Sequence, residues 1–358
     1  MLNWLLVFVP IAVGLEHFAP GQHLLVFVAS GLAILPLAGW MGRATEHLAE
    51  RLGEGPGGFL NATFGNAAEL IIALAALRAG LYDVVKASII GSIVGNILLV
   101  LGAAMLAGGL RHREQSFNAE GGRAQATMLT LAAIALILPA AFKGAVGDSA
   151  AAAKLIPLSV TLAVILLLVY GLFLVFSLFT HSVLFAGSHA ASGDDERQAG
   201  WSVRRSALVL AGATALLAWM SEILVGAIQP TAREFGLSNV FVGVFIVAVL
   251  GNAAEHATAI SAALKNRMDL SLSIAIGSSI QVAIFVAPVL VLASLFLGPG
   301  PMDMVFPAGL VLSVLLAVLI TGQIAGDGRS NWLKGAQLLT VYLVLGLTYY
   351  FVPDRLQP

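Results

Sequence analysis

Long apolar runs alternate with short polar breaks along the 358 residues, and eleven of the runs approach the ~20 residues that a helix needs to cross a bilayer. They fall near residues 2–19, 22–45, 59–80, 84–109, 124–142, 155–185, 204–228, 236–264, 270–297, 302–322 and 332–352. Within each run the apolar residues are continuous and lack the alternation of a membrane barrel strand, so the predicted elements are transmembrane helices. Some runs exceed a perpendicular crossing, which permits tilt or a break without specifying either. The first run lacks a basic leader and ends at "EHFAPGQH", and is read as a retained helix rather than a signal peptide. The fold class is therefore an all-α integral membrane protein.

Composition agrees. Hydrophobic residues make up 59% of the chain and charged residues 10%, with a mean hydropathy of +0.95. Soluble domains are about 45–50% apolar and about 25% charged. With no cysteine, disulfide and thiol chemistry are excluded. A net charge of −1 and the lack of a basic stripe offer nothing to nucleic acid, leaving membrane lipid as the surroundings; the sequence specifies no oligomeric state. Charge matters more by position. Twelve lysines and arginines fall in the loops of one side and six in those of the other. By the positive-inside rule the richer side is cytoplasmic, which puts the N-terminus inside and the C-terminus outside.

Two of the apolar runs carry an almost repeated phrase. "GNAAE" occurs at Gly65–Glu69 and again at Gly251–Glu255, an offset of 186 residues. At the same offset "GSIVGN" (Gly91–Asn96) overlays "GSSIQV" (Gly277–Val282). A second match in register points to internal duplication. The motifs lie in the third and eighth runs, an odd displacement, so the two copies thread the membrane in opposite directions, as in the inverted repeats of secondary transporters. The predicted division is an extra helix at 1–20, a five-helix repeat at 21–186, a polar acidic linker at 187–202 and a second five-helix repeat at 203–358.

The chemistry follows from helical spacing. Residues three apart share a face, so Asn66 projects with Glu69 and Asn252 with Glu255. A carboxylate inside a membrane costs at least a few kcal/mol unless it is partnered or protonated. Neither motif is read as supplying a lysine or arginine counter-ion from its own span, which leaves a bound cation or a proton. Oxygen donors without thiolate favour a hard cation such as calcium, with 6–8 ligands in flexible geometry. Ser92, Asn96, Ser278 and Gln281 on the following helices are further candidate ligands, as are carbonyls freed where Gly65 and Gly251 weaken the helix. Ser92 and Ser278 fit close helix packing equally well. Asn96 overlays Val282, so the site is asymmetric. Once the metal leaves, two facing carboxylates repel in low dielectric, and protons relieve the repulsion. A site that takes either protons or one divalent cation is the core of an exchanger.

Glu222, read as lying well inside a span, and Glu46, nearer an interface, are candidates for gating or proton relay. A solvated helix end is the plain account of Glu46. His256 follows Glu255 and suits either proton transfer or a structural hydrogen bond. The acidic cluster Asp194-Asp195-Glu196 reads as a solvated loop.

With "NATFGNAAELIIAL", "VLGNAAEHATAI", "GSIVGN", "GSSIQ" and "FTHSVLF" assembled, the chain resembles the calcium/proton antiporters, the CAX branch of the cation/calcium exchanger superfamily. The resemblance runs the length of the chain. It implies eleven helices in an inverted five-plus-five arrangement, cation coordination by Glu69 and Glu255, and protons imported as calcium is expelled. It implies no cofactor beyond the transported ions, no enzymatic activity and a prokaryotic plasma membrane. Sodium-coupled relatives carry hydroxyl residues at the places of Gly65, Asn66, Gly251 and Asn252 and an acid at Val282, so proton coupling is expected here. The alternatives are a sodium/calcium or broader divalent cation exchanger and, from another class, a magnesium-dependent membrane enzyme. Such an enzyme needs clustered acids near the interface with Lys or Arg for phosphate.

Overall fold

A backbone in hydrocarbon must satisfy its own hydrogen bonds, and nearly every apolar run accordingly becomes helix. The computed structural model describes residues 3–181 and 201–351. The linker's acidic cluster, His189, Arg197 and Arg355 lie outside the described residues. A 3₁₀ segment (Asn3–Val7) leads into α1 (Phe8–Phe18), followed by α2 (His23–Leu52), α3 (Glu54–Phe64), α4 (Ala67–Arg78) and α5 (Tyr82–Val94). A π turn (Gly95–Val100) joins α5 to α6 (Leu101–His112). Strand β1 (Glu114–Ser116), α7 (Ala119–Val146) and α8 (Asp148–Val175), with a π turn at Phe176–Thr180, complete the first half. The second half has α9 (Val203–Phe235), a π turn (Val242–Val247), α10 (Ala248–Leu264) and α11 (Met268–Gln281). A further π turn (Val282–Val286), α12 (Ala287–Ala293), α13 (Ala308–Ala325), strand β2 (Arg329–Asn331) and α14 (Trp332–Tyr350) follow.

Eight helical segments among the described residues are long and apolar enough to cross a membrane. The remaining three of the eleven expected runs have other forms. The first is the shorter helix Asn3–Phe18, and the last is the 19-residue α14, outside the eight. The run expected at 59–80 is not one helix but two, broken at Gly65-Asn66. Pro36, Pro139, Pro157 and Pro230 sit inside long helices without ending them. Packed neighbours and local adjustment satisfy the freed backbone groups in transmembrane helices.

The chain divides into two compact units that do not follow the repeat boundaries. One comprises Met1–Ser88, Gln198–Ala254 and Thr348–Pro358, the other Ile89–Arg197 and Glu255–Leu347. Each unit takes segments from both predicted repeats. In the first, α2 packs along α9, and α4 also rests on α9. In the second, α7 packs against α8, α11 and α13.

Loop contacts within the second unit test the threading. β1 pairs antiparallel with β2, Glu114 opposite Asn331. His112 Nε2 lies 2.9 Å from Leu264 O, Gln115 Nε2 donates to Ala263 O at 2.9 Å, and Arg123 reaches Gly326 O. Segments around 112–123, 263–269 and 326–331 therefore share one side of the membrane, which requires even numbers of crossings between them. The count of eleven satisfies this.

In the second unit α6 and α14 approach at backbone distance. A Cβ on Gly335 would overlap Leu106 N and lie 2.6 Å from Gly102 O, while one on Gly102 would meet Leu338 Cβ at 3.0 Å. Small residues allow such contact where lipid supplies no hydrophobic drive. Gly335→Val is expected to destabilise the protein by about 2 kcal/mol or more, because backbone cannot yield as a side chain does. Gly212→Ala, with open space around it, should leave the melting temperature in detergent unchanged.

Candidate ion-binding site

A helix break sets the geometry of the first motif. Gly65 and Asn66 form a turn between α3 and α4, with Gly65 N–H still bonded to Asn61 O at 2.8 Å and Leu70 N–H to Asn66 O at 3.0 Å. Glycine's poor helix propensity, and asparagine's readiness to adopt local alternatives, put the break here. Its consequence is electrostatic. Glu69 falls in the first turn of α4, where N–H groups without intrahelical partners give the helix end a partial positive charge. Asn66 takes the N-cap position, although its side chain does not cap the helix. Asn66 is 1% and Glu69 8% exposed, so the carboxyl is directed into protein rather than lipid.

The second motif is built differently. A break expected at Gly251 is absent, because Gly251 lies within the continuous α10. The departure from α geometry comes earlier, at the π turn Val242–Val247, where Ala248 N–H bonds Gly243 O. Gly251 has a different use: a Cβ there would come within 3.1 Å of Glu69 Cγ. The glycine admits the first motif's carboxylate against the second motif's helix, within the first unit. Asn252 is buried beside it and donates from Nδ2 to Ala248 O at 2.8 Å.

Within the second unit a chain of polar groups starts at Glu255. Its carboxyl hydrogen-bonds Ser278. Ser278 Oγ accepts from Asn96 Nδ2 at 3.1 Å, and Asn96 Oδ1 lies 3.3 Å from His256 Nε2. Glu255 Oε2 is buried and has no hydrogen-bond partner among the described residues, an acceptor open to a proton or cation. Ser92 is buried in the same unit and Gln281 half-buried. No group of three or more His, Cys, Asp and Glu occurs among the described residues. A cation site here would be completed by amide, hydroxyl and carbonyl oxygens.

No pattern in the residues foretold the π turns that flank this chain. Leu101 N–H bonds Asn96 O and Ala287 N–H bonds Val282 O, each five residues back and each 186 residues from its counterpart. Ser279 Oγ reaches Ile93 O at 3.3 Å, again across 186 positions. A residue touches its own repeat mate only near the axis that relates the copies.

The gating candidates stand apart from these groups. Glu222 lies inside the span Val203–Phe235, as expected, and its exposed side chain forms an ion pair with Arg78 at 2.9 Å. Arg78 ends the same helix that Glu69 begins, so the first motif's span does contain an arginine, engaged at its far end by Glu222. Such exposed pairs contribute about 0–1 kcal/mol. Glu46 is exposed near the end of α2, where His47 Nδ1 lies 3.6 Å from Glu50 Oε2 and stacks near Trp201.

Residues 22–179 and 205–351 match the model of the sodium/calcium exchanger protein family. The chain belongs to that family. A Ca(2+)/H(+) antiporter of Aphanothece halophytica is 45% identical to this family member over 98% of the chain and 96% of its own length. The Ca(2+)/H(+) antiporter ChaA of Bacillus subtilis is 42% identical over 91% of this chain and 92% of its own. Among solved structures, native YfkE superimposes with a TM-score of 0.83 at 38% identity, covering 98% of this chain and 99% of that one.

Gly251→Ala would push on Glu69 while keeping both carboxylates. Calcium affinity is expected to fall several-fold with little change in melting temperature, since Glu69 Cγ must retreat by only a few tenths of an ångström. Binding isotherms paired with thermal melts check this.

Proposed function

We propose that the protein is a secondary active transporter that exchanges Ca2+ for H+ across the membrane by alternating access. One observation carries the reading. The first motif buries the Glu69 carboxyl and the second holds the half-buried Glu255, its Oε2 shielded, beside hydroxyl and amide groups that suit a hard divalent ion. Glu69 and Glu255 hold calcium when ionised and release it when protonated. Both motif glutamates are taken as ligands of the transported cation, which as a hard divalent ion favours carboxylate oxygens. Asn66, Asn252, Ser92, Ser278 and Gln281 supply neutral oxygens around it, while Asn96, a ligand candidate in the sequence, has its amide engaged by Ser278 and His256. Two protons for one calcium would preserve the site's charge through the cycle.

Both relatives described above are named as calcium/proton antiporters, and each aligns over nine-tenths or more of its length. That favours proton coupling over sodium coupling, as does the absence of hydroxyl side chains at positions 65, 66, 251 and 252. A magnesium-dependent enzyme is disfavoured by the lack of an acid cluster among the described residues. Alternating access follows from copies of opposite orientation, whose exchange of conformations opens the same site to either side. The protein resides in a prokaryotic plasma membrane with its N-terminus cytoplasmic and C-terminus outside. Glu222, in the middle of α9 and paired with Arg78, and Glu46, near the end of α2, are the candidates for gating or proton relay.

Everted vesicles under an inward-acid gradient provide the test. Calcium uptake should follow the proton gradient and ignore sodium. Glu69→Gln and Glu255→Gln should each abolish exchange in a folded protein, with calcium affinity about ten- to a hundredfold weaker from loss of a charged ligand. Affinity in the wild type should fall as pH is lowered, because protons claim the same oxygens. Sodium-dependent uptake, or brisk exchange by either mutant, would contradict the scheme.

A further inference from the structure

The two copies are not interchangeable, and two of their differences meet. His256 stands where the first copy has Leu70, and Asn96 stands where the second has Val282. These one-sided polar residues are in contact, His256 Nε2 to Asn96 Oδ1 at 3.3 Å. The residues at the matched positions, Leu70 and Val282, are both apolar. The duplicated site thus carries one polar branch that duplication did not provide.

The branch has a polarity fixed by the donors available. Asn96 spends an N–H on Ser278 Oγ at 3.1 Å, which leaves its carbonyl oxygen toward His256. A carbonyl only accepts, so the ring nitrogen facing it must carry hydrogen. Ser278 Oγ already accepts from Asn96, and its own hydrogen is directed at the Glu255 carboxyl. Three donors therefore point one way, from His256 through Asn96 and Ser278 to Glu255. Asn96 lies in the π turn whose Leu101 N–H bonds its carbonyl, so the local backbone and not a surface rotamer sets where its amide points. It is 1% exposed.

We infer that Asn96 is a positioning residue that holds His256 as its Nε2–H tautomer and, through Ser278, fixes the orientation of Glu255, making the two carboxylates unequal partners of the ion. The inference rests on reading Glu255 as an ion ligand. Asn96→Val and His256→Leu each install the residue that the other copy carries at the matched position. Both replacements are apolar and leave Glu69 and Glu255 in place.

Nitrogen-15 NMR of the histidine-labelled full chain in detergent, without calcium, at about pH 8 where an ordinary imidazole is neutral, reads the first half. The His256 signal is identified by its loss in His256→Leu. It should report the Nε2–H tautomer in the wild type and shift toward a tautomer mixture in Asn96→Val. A wild-type Nδ1–H ring, or a signal indifferent to Asn96→Val, would overturn the assignment. Calcium binding reads the second half as a double-mutant cycle. Each single variant should weaken binding about tenfold, and the double variant no more than either. Independent losses multiplying to about a hundredfold, or singles that bind as the wild type does, would overturn the coupling to Glu255. Failure of the wild type to bind calcium would instead count against the exchange reading, with the NMR result still deciding the tautomer.

Discussion

Placing a carboxylate among apolar helices is the constraint on which this molecule is built. The bilayer core offers no water, and the charge must be met by dipoles, hydrogen bonds, a cation or a proton. The protein meets it differently in its two motifs. Glu69 sits at the start of α4, so a helix end made by the Gly65-Asn66 break supplies positive potential. Glu255 lies in the middle of the unbroken α10 and has no helix end to lean on; Ser278 hydrogen-bonds it instead. A helix end is thus available to Glu69 and not to Glu255, which Ser278 hydrogen-bonds.

Where the backbone does not break, donors must come from neighbouring helices, and the chain Asn96–Ser278–Glu255 draws on two of them. Polar networks of this kind are costly when partly satisfied. Glu255 Oε2 has no hydrogen-bond partner among the described residues. On the proposed reading, an ion or proton would take up this acceptor during the cycle. Glycine at 251 belongs to the same economy of space, letting Glu69 approach a helix closely enough that no lipid or methyl group intervenes.

The fold was legible wherever length and composition suffice. The membrane class, the helical character of each apolar run and the duplicated motifs follow from residue type and period alone. The location of the first break was readable too, since Gly65 and Asn66 are weak helix formers. The same reasoning applied to Gly251 fails, because glycine is chosen there for close packing, which a linear pattern does not distinguish from a break. Glu222 lies within a span, as its apolar neighbours indicate, but its partner Arg78, 144 positions away in sequence, could not be read from them.

By itself the sequence determined that two acids recur at one spacing inside membrane helices, because hydrophobic length and an exact offset of 186 residues are one-dimensional properties. Only the tertiary structure decided which groups each acid meets. The π turns rotate Asn96 toward Ser278 and His256, and the interleaving of both repeats in each compact unit brings Gly251 to Glu69. Those outcomes depend on helix rotation and backbone approach across 160 to 182 residues of chain, which no local pattern encodes.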